Sequence, residues 1–212
     1  MERPGLGSRT SLAGEQKRWH RITLSFAGPA TSEAAAVNPF RDYRLNVTLK
    51  HAASGRSLVV PGYFAADGKA ANSGANDGAV WRAHFAPDAA ETWTCVASFR
   101  TGPDVAIATS SAAGTSTAFN GENGSFTVNG TDKTGADFRA KGRLREVGQH
   151  YLQHMGTKEY FVKVGAGSPE HLLAYADFDN TAAGKKPVHH FAKHANDHRR
   201  EIPLGEMADG RG

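Results

Sequence analysis

Two stretches of strict alternation constrain this chain more than anything else in it. Trp81, Ala83 and Phe85 fall on one side of a pleated strand, and after a short break Trp93, Cys95, Ala97 and Phe99 do the same. Side chains of a strand point to opposite faces in turn, so each stretch presents one apolar and one mostly polar side. Pro87 and Asp88 supply turn chemistry between them, and Ala89 to Glu91 complete a connection short enough for antiparallel neighbours. Tryptophans paired on adjacent strands with one buried face predict the core of a small β-sandwich. Such a core is a scaffold or recognition module before it is a catalyst.

The rest of the front half repeats the pattern. Ile22, Leu24 and Phe26 alternate until Ala27-Gly28-Pro29 stops them, and Leu45, Val47 and Leu49 alternate after Tyr43. Ser57 to Val60 reads as a further strand that Pro61-Gly62 breaks before Tyr63-Phe64, and Phe126-Thr-Val128 closes the series. Ala65 to Gly78 is a long polar loop, and Thr101 to Asn123 is low in complexity with a short strand expected at Val105 to Ala108. We therefore expect an all-β fold: an Ig-like or fibronectin-like antiparallel β-sandwich of about seven strands. The Cys…Trp…Cys spacing of antibody domains is absent. Inward residues are expected to be Ile22, Leu24, Phe26, Leu45, Val47, Leu49, Phe85, Trp93, Cys95 and Phe99.

The expected organisation is a disordered leader (1–16), the sandwich (17–130), a polar linker (131–142), an α/β segment (143–180) and an irregular or disordered tail (181–212). In the fourth part, Leu144 to Val147 and His150 to His154 suggest a hairpin. Glu159 to Gly165 carries apolar residues on both faces, as a strand inside an α/β sheet does. Ser168-Pro169-Glu170 then reads as a helix start.

Composition excludes several classes. The 212 residues include 25 Lys and Arg against 21 Asp and Glu, with no long basic run or recognition motif, so no nucleic-acid partner is expected. No apolar run reaches the roughly 20 residues that span a membrane, and Met1 to Arg18 lacks the apolar stretch of a signal peptide. As written, the chain reads as cytoplasmic. Cys95 is the single cysteine and its place within a strand makes it a core thiol.

Sugar binding needs exposed aromatic rings beside polar groups, since a ring packs on a pyranose face. Tyr63, Phe64 and Trp19 are the candidates, with Asp67 in the neighbouring loop; packing of that loop on another domain is the bland alternative. Asp177 and Asp179 flank Phe178 and serve either substrate contact or turn formation. Among ten histidines, His190, His194 and His198 are spaced as on one helix face, yet no glutamate adjoins them as in a metalloprotease and Pro187 interrupts. No metal site, no cofactor and no catalytic residue is expected, with those three histidines the alternative for a metal.

The runs Trp19 to Phe26, Asn38 to Thr48 and Val60 to Gly68 resemble a bacterial family called domain of unknown function 5060. Trp81 to Pro87, Asp132 to Gly142 and Ala174 to Asp179 fit the same resemblance. In that family an Ig-like sandwich precedes a (β/α)8 barrel resembling glycoside hydrolases, in exported proteins of polysaccharide-degrading bacteria. The resemblance implies a non-catalytic accessory module of a glycoside-hydrolase-like protein, met outside the cytoplasm or in the periplasm. It also implies polysaccharide or oligosaccharide as a partner and a barrel domain in full-length relatives. A barrel needs about 250 residues and takes its catalytic groups from several strand ends, so the chain is expected to be a truncated fragment that is not itself an enzyme. A stand-alone carbohydrate-binding module and a non-functional gene fragment are the alternatives.

Overall fold

The computed structural model describes residues 5–163. Twelve strands lie among them: β1 (Thr10–Ala13), β2 (Ile22–Ser32), β3 (Tyr43–His51), β4 (Ser57–Pro61), β5 (Tyr63–Phe64), β6 (Asp77–Phe85), β7 (Glu91–Thr101), β8 (Thr115–Ser116), β9 (Asn123–Val128), β10 (Leu144–Arg145), β11 (Leu152–His154) and β12 (Tyr160–Phe161). One sheet has the order β1-β2-β6-β5. The other runs β4-β3-β7, and the far edge of β7 is shared by β9 and β8. Every strand pair is antiparallel. The fold is the all-β antiparallel sandwich that the alternation predicts.

The expected register holds as well. Ile22, Leu24 and Phe26 from β2 and Trp81, Ala83 and Phe85 from β6 are buried, facing Leu45, Val47 and Leu49 from β3 and Trp93, Cys95, Ala97 and Phe99 from β7. Their rings form a continuous series: Phe26 on Phe119 at 4.7 Å, Phe119 on Phe99 at 4.3 Å, Phe99 against Trp81 at 4.7 Å. Both buried indoles donate to carbonyls, Trp93 to Ala89 at 3.0 Å and Trp81 to Pro29 at 3.4 Å, so neither N–H is stranded. The Cys95 thiol is pushed up to about 11 by burial, as befits a core residue rather than a nucleophile.

Six expectations are corrected. The two tryptophan strands are not neighbours: β6 pairs with β2 and β5, while β7 pairs with β3, β8 and β9. The connection between them crosses from one sheet to the other, and Phe85 meets Trp93 across the core at 4.9 Å. Alternation reports which side of a strand is buried, not which sheet the strand joins.

The leader is not disordered throughout, because Thr10–Ala13 forms β1 along the edge of β2 and Leu6 and Leu12 pack on the core. Gly14, at φ 98, makes the turn that follows; a Cβ there would collide with the Arg21 carbonyl. Ala27-Gly28-Pro29 does not stop β2, which runs to Ser32 with a register shift between Ala27 and Thr31. The linker contains a helical turn, Phe138–Lys141, because Asp137 caps it by accepting from the Arg139 amide at 2.8 Å.

Lastly, Tyr160–Phe161 is not a strand inside an α/β sheet. Among the described residues it completes an antiparallel meander, pairing Leu152 with Phe161, and Tyr160 and Val162 are exposed. The hairpin expected before it does form, between β10 and β11. The short strand expected at Val105 to Ala108 is a 3-10 turn, Val105–Ile107. Apart from 71–74 and 163, the described residues make one compact unit, and no helix among them is long and apolar enough to cross a membrane.

Candidate functional site

Pro61-Gly62 does more than break a strand. β4 pairs with β3 in one sheet and β5 with β6 in the other, so the chain changes sheets at this dipeptide. A Cβ at Gly62 would run into the Leu45 side chain, and only glycine lets the backbone cross so near the core. The switch orients the next two aromatics in opposite directions. Phe64 lies opposite Trp81 on the inner face, its ring 5.2 Å from the indole and only 5% exposed. Its expected role as a sugar platform is therefore corrected: β5 pairs in a register that turns it inward. Tyr63, one residue earlier, stands on the outer face at 42% exposure.

Around Tyr63 the outer faces of β2, β5 and β6 assemble a polar surface. Tyr63 lies opposite Arg82, Arg82 opposite Ser25, and His84 opposite Thr23. The Tyr63 hydroxyl is 2.9 Å from His84 Nε2, whose Nδ1 is 3.0 Å from the Thr23 hydroxyl. Arg82 Nε donates to Ser25 Oγ at 3.1 Å. Partial burial, then the charges of Arg21 and Arg82, lower the pKa of His84, which favours its neutral, two-sided hydrogen-bonding form. An accessible ring flanked by guanidinium, imidazole and hydroxyl groups offers stacking and several hydrogen bonds to a polyhydroxylated ligand.

The loop before β6 reaches the same surface. Gly68, at φ 81, approaches so closely that a Cβ there would meet the Arg82 guanidinium at 2.9 Å. Asp67, just before it, is exposed and accepts from the Lys69 amide at 2.6 Å. Trp19 lies elsewhere and is half-buried. Its amide donates to the Pro87 carbonyl at 2.7 Å, Arg18 covers its ring at 4.9 Å, and Gly142 and Gly156 back onto the indole. The structure thus joins Tyr63 to the Asp67-Gly68 loop and separates both from Trp19 and Phe64. Asp177, Asp179, His190, His194 and His198 lie outside the described residues.

Arg82, His84, Thr23 and Ser25 escaped sequence reasoning, though each occupies the polar phase of a strand whose apolar phase was read. Two shallow grooves lie away from this surface. One, of about 650 Å³, is lined by Leu6, Leu12, Gln16, Ser125 and Phe126; the other, of about 500 Å³, by Arg18, His51, Asp88 and Glu91. Among the described residues, Glu15, His20 and Asp132 bring potential metal-ligand atoms within 4.8 Å of one another.

Residues 15–100 match the family model described as Domain of unknown function (DUF5060). The chain is also similar to a crystal structure from Bacteroides vulgatus ATCC 8482 described, provisionally, as a glycoside hydrolase. The two share 25% identity with a TM-score of 0.42, over 68% of this chain and 21% of that one. The chain thus spans about a fifth of that protein's length. No curated protein matches it.

Proposed function

We propose that this chain, whose residues 15–100 match the DUF5060 model, serves as a non-catalytic accessory module of a glycan-processing protein. The observation that carries this is the surface of the β10–β12 meander and the helical turn before it. Phe138, Tyr151, Leu152, Tyr160 and Val162 are all between 41% and 60% exposed. Those in the small sheet lie on both its faces, Leu152 opposite Phe161 on one and Tyr160 opposite Gln153 on the other. Apolar residues left exposed within so short a stretch mark a region that another body covers. In the family this chain resembles, a barrel follows the sandwich, and a barrel domain is the occupant we assign.

The carboxylates fit a supporting role. Asp42, Asp88, Asp132, Asp137, Glu15 and Glu159 are all held below the usual carboxylate range by neighbouring Lys or Arg side chains. A general acid of glycoside hydrolysis needs the opposite shift. Polysaccharide is too large to enter a cell, so the same function places the module outside the cytoplasm.

The test is a dye that fluoresces on apolar surface. Its signal with this chain should fall on adding the barrel domain of a full-length relative, and should be weak from the start in a Tyr160→Ser, Val162→Ser double variant. A monodisperse chain that leaves the dye dark would sink the docking function.

The polar surface around Tyr63 favours a second function, carbohydrate binding by the sandwich itself. A glycan array should then show weak binding that Tyr63→Ala removes, since one ring on an open face buries little ligand. Tight binding indifferent to Tyr63 would move the sugar site elsewhere.

A further inference from the structure

The segment between β1 and β2 and the segment after β9 are far apart in sequence and meet at one corner of the sandwich. Lys17 and Asn129 form a parallel bridge, the Arg18 amide donates to the Asn129 carbonyl at 2.8 Å, and the Asn129 amide to the Gln16 carbonyl at 2.9 Å. His20 is buried at this junction, its side chain only 3% exposed. Its Nδ1 lies 3.0 Å from the Arg18 carbonyl. A carbonyl can only accept, so Nδ1 carries the proton and Nε2 presents a lone pair.

That lone pair has no hydrogen-bond partner. It faces Glu15 Oε2 at 3.7 Å and Asp132 Oδ1 at 3.8 Å. Both carboxyl groups are kept ionised by the hydrogen bond from Lys17, with Asp132 lowered to about 2. Three acceptors therefore converge, and the Lys17 ammonium reaches both carboxylates but leaves the buried His20 Nε2 without a donor. Protonating His20 would not satisfy them at this spacing, because both separations exceed hydrogen-bond length. A small cation would.

We propose that Glu15, His20 and Asp132 form a divalent-metal site, of the zinc class, that clasps the β1–β2 connection to the segment after β9. Zinc bonds of about 2.0–2.1 Å in a tetrahedron place neighbouring ligand atoms about 3.3–3.4 Å apart, so two of the three edges need to close by only about half an ångström. The donor set argues for the same class: calcium and magnesium take oxygen ligands, whereas one imidazole with two carboxylates suits zinc. The Nδ1–H bond to a carbonyl is the outer contact that orients a metal-binding histidine. Glu15 and Asp132 are about half-exposed, which leaves an entry path and a water-accessible fourth position.

Two ammonium groups compete for the carboxylates. Lys17 Nζ is 3.0 Å from Glu15 Oε2 and 2.6 Å from Asp132 Oδ2, and Lys133 Nζ is 3.4 Å from Asp132 Oδ1. Lys17 can keep Asp132 Oδ2 while the metal takes Oδ1, but at Glu15 it must yield. The site therefore makes an unusual demand: removing Lys17 must strengthen metal binding.

The experiment uses the full chain carrying His189→Ala, His190→Ala, His194→Ala and His198→Ala, so that histidines near the C-terminus contribute no binding. Zinc chloride is titrated by calorimetry and by thermal unfolding, with the His20 ring nitrogens followed by NMR. One equivalent should bind, raise the unfolding temperature and shift His20 Nε2. Asp132→Asn should weaken binding at least about tenfold, as ligand loss should cost no less than loss of an outer contact, and Lys17→Met should strengthen it. His20→Gln should abolish it; should that variant fail to fold, Asp132→Asn and the Nε2 resonance still decide. Zinc binding that vanishes with the four substituted histidines, or that ignores both Asp132→Asn and Lys17→Met, overturns the site. So does a His20 ring that responds to pH alone and never to zinc.

Discussion

Trp93 is fully covered, between Phe85 at 4.9 Å and His51 at 5.1 Å, with its N–H satisfied by Ala89. Removing the indole leaves a cavity that the flanking strands cannot close, as they are held on both sides by ladder bonds. Trp93→Ala should cost about 3–5 kcal/mol, measured by urea unfolding; a loss under about 1 kcal/mol would place the ring outside the core. Alternation found Trp93 and the residues in phase with it. It could not find Phe119, which lies in a low-complexity stretch and yet stacks between Phe26 and Phe99. Nor could it find His51, buried with one nitrogen at Ser54 Oγ and the other at the Ala90 carbonyl. Phe119 is placed by neighbours distant in sequence, and His51 by distant Ala90 as well as nearby Ser54.

Among elements, β1 best shows a strand that its own residues do not announce. Four residues long and only partly buried, it has little apolar pattern to read. Much of its anchoring comes from Glu122, whose two oxygens accept from the Arg9 amide at 2.9 Å and the Thr10 hydroxyl at 2.6 Å. Glu122→Ala should loosen the edge strand without unfolding the sandwich. Amides of Thr10–Ala13 should exchange at least about tenfold faster, the effect of losing roughly one hydrogen bond to a charged group, while those of β3 and β7 stay unchanged. Equal acceleration everywhere would mean that β1 is integral to the global fold. Tyr63–Phe64 is the complementary case: the residues mark an aromatic pair, and the change of sheet at Gly62 decides which ring is available.

For the molecule as a whole, acid is the informative stress. Asp42 ties two loops together: it accepts from Arg41 at 2.9 and 2.8 Å and from the Asn38 and Asp104 amides at 2.9 and 3.1 Å. The Arg41 hydrogen bond above all holds its carboxyl well below the usual carboxylate range, and Asp132 and Asp137 are lowered to about 2 by Lys17 and Arg139. With native values depressed, the unfolded chain binds protons first on acidification. Their stabilising contribution is complete above about pH 5 and is lost as pH falls through about 4 towards 2. Urea midpoints should drop across that window. Asp42→Asn should be less stable than the parent at pH 7, with the gap narrowing at pH 2; a constant gap would show that ionisation of Asp42 contributes nothing. Added salt should shrink the share from the exposed Asp132 and Asp137 pairs.

What the sequence determined by itself was the class of fold and the inward face of each long strand, because a period of two and a buried side are properties of a strand alone. Ile22, Leu45, Trp81 and Trp93 could be placed inside without knowing what they touch. Tertiary structure alone decided that the tryptophan strands belong to opposite sheets, that Phe64 is buried while Tyr63 is not, and that Tyr160–Phe161 pairs antiparallel. It alone also brought His20 between Glu15 and Asp132. Each of these depends on which strand lies beside which, and that choice is made by contacts between residues from a short hairpin's length to most of the sandwich apart, where no local period carries a record of it.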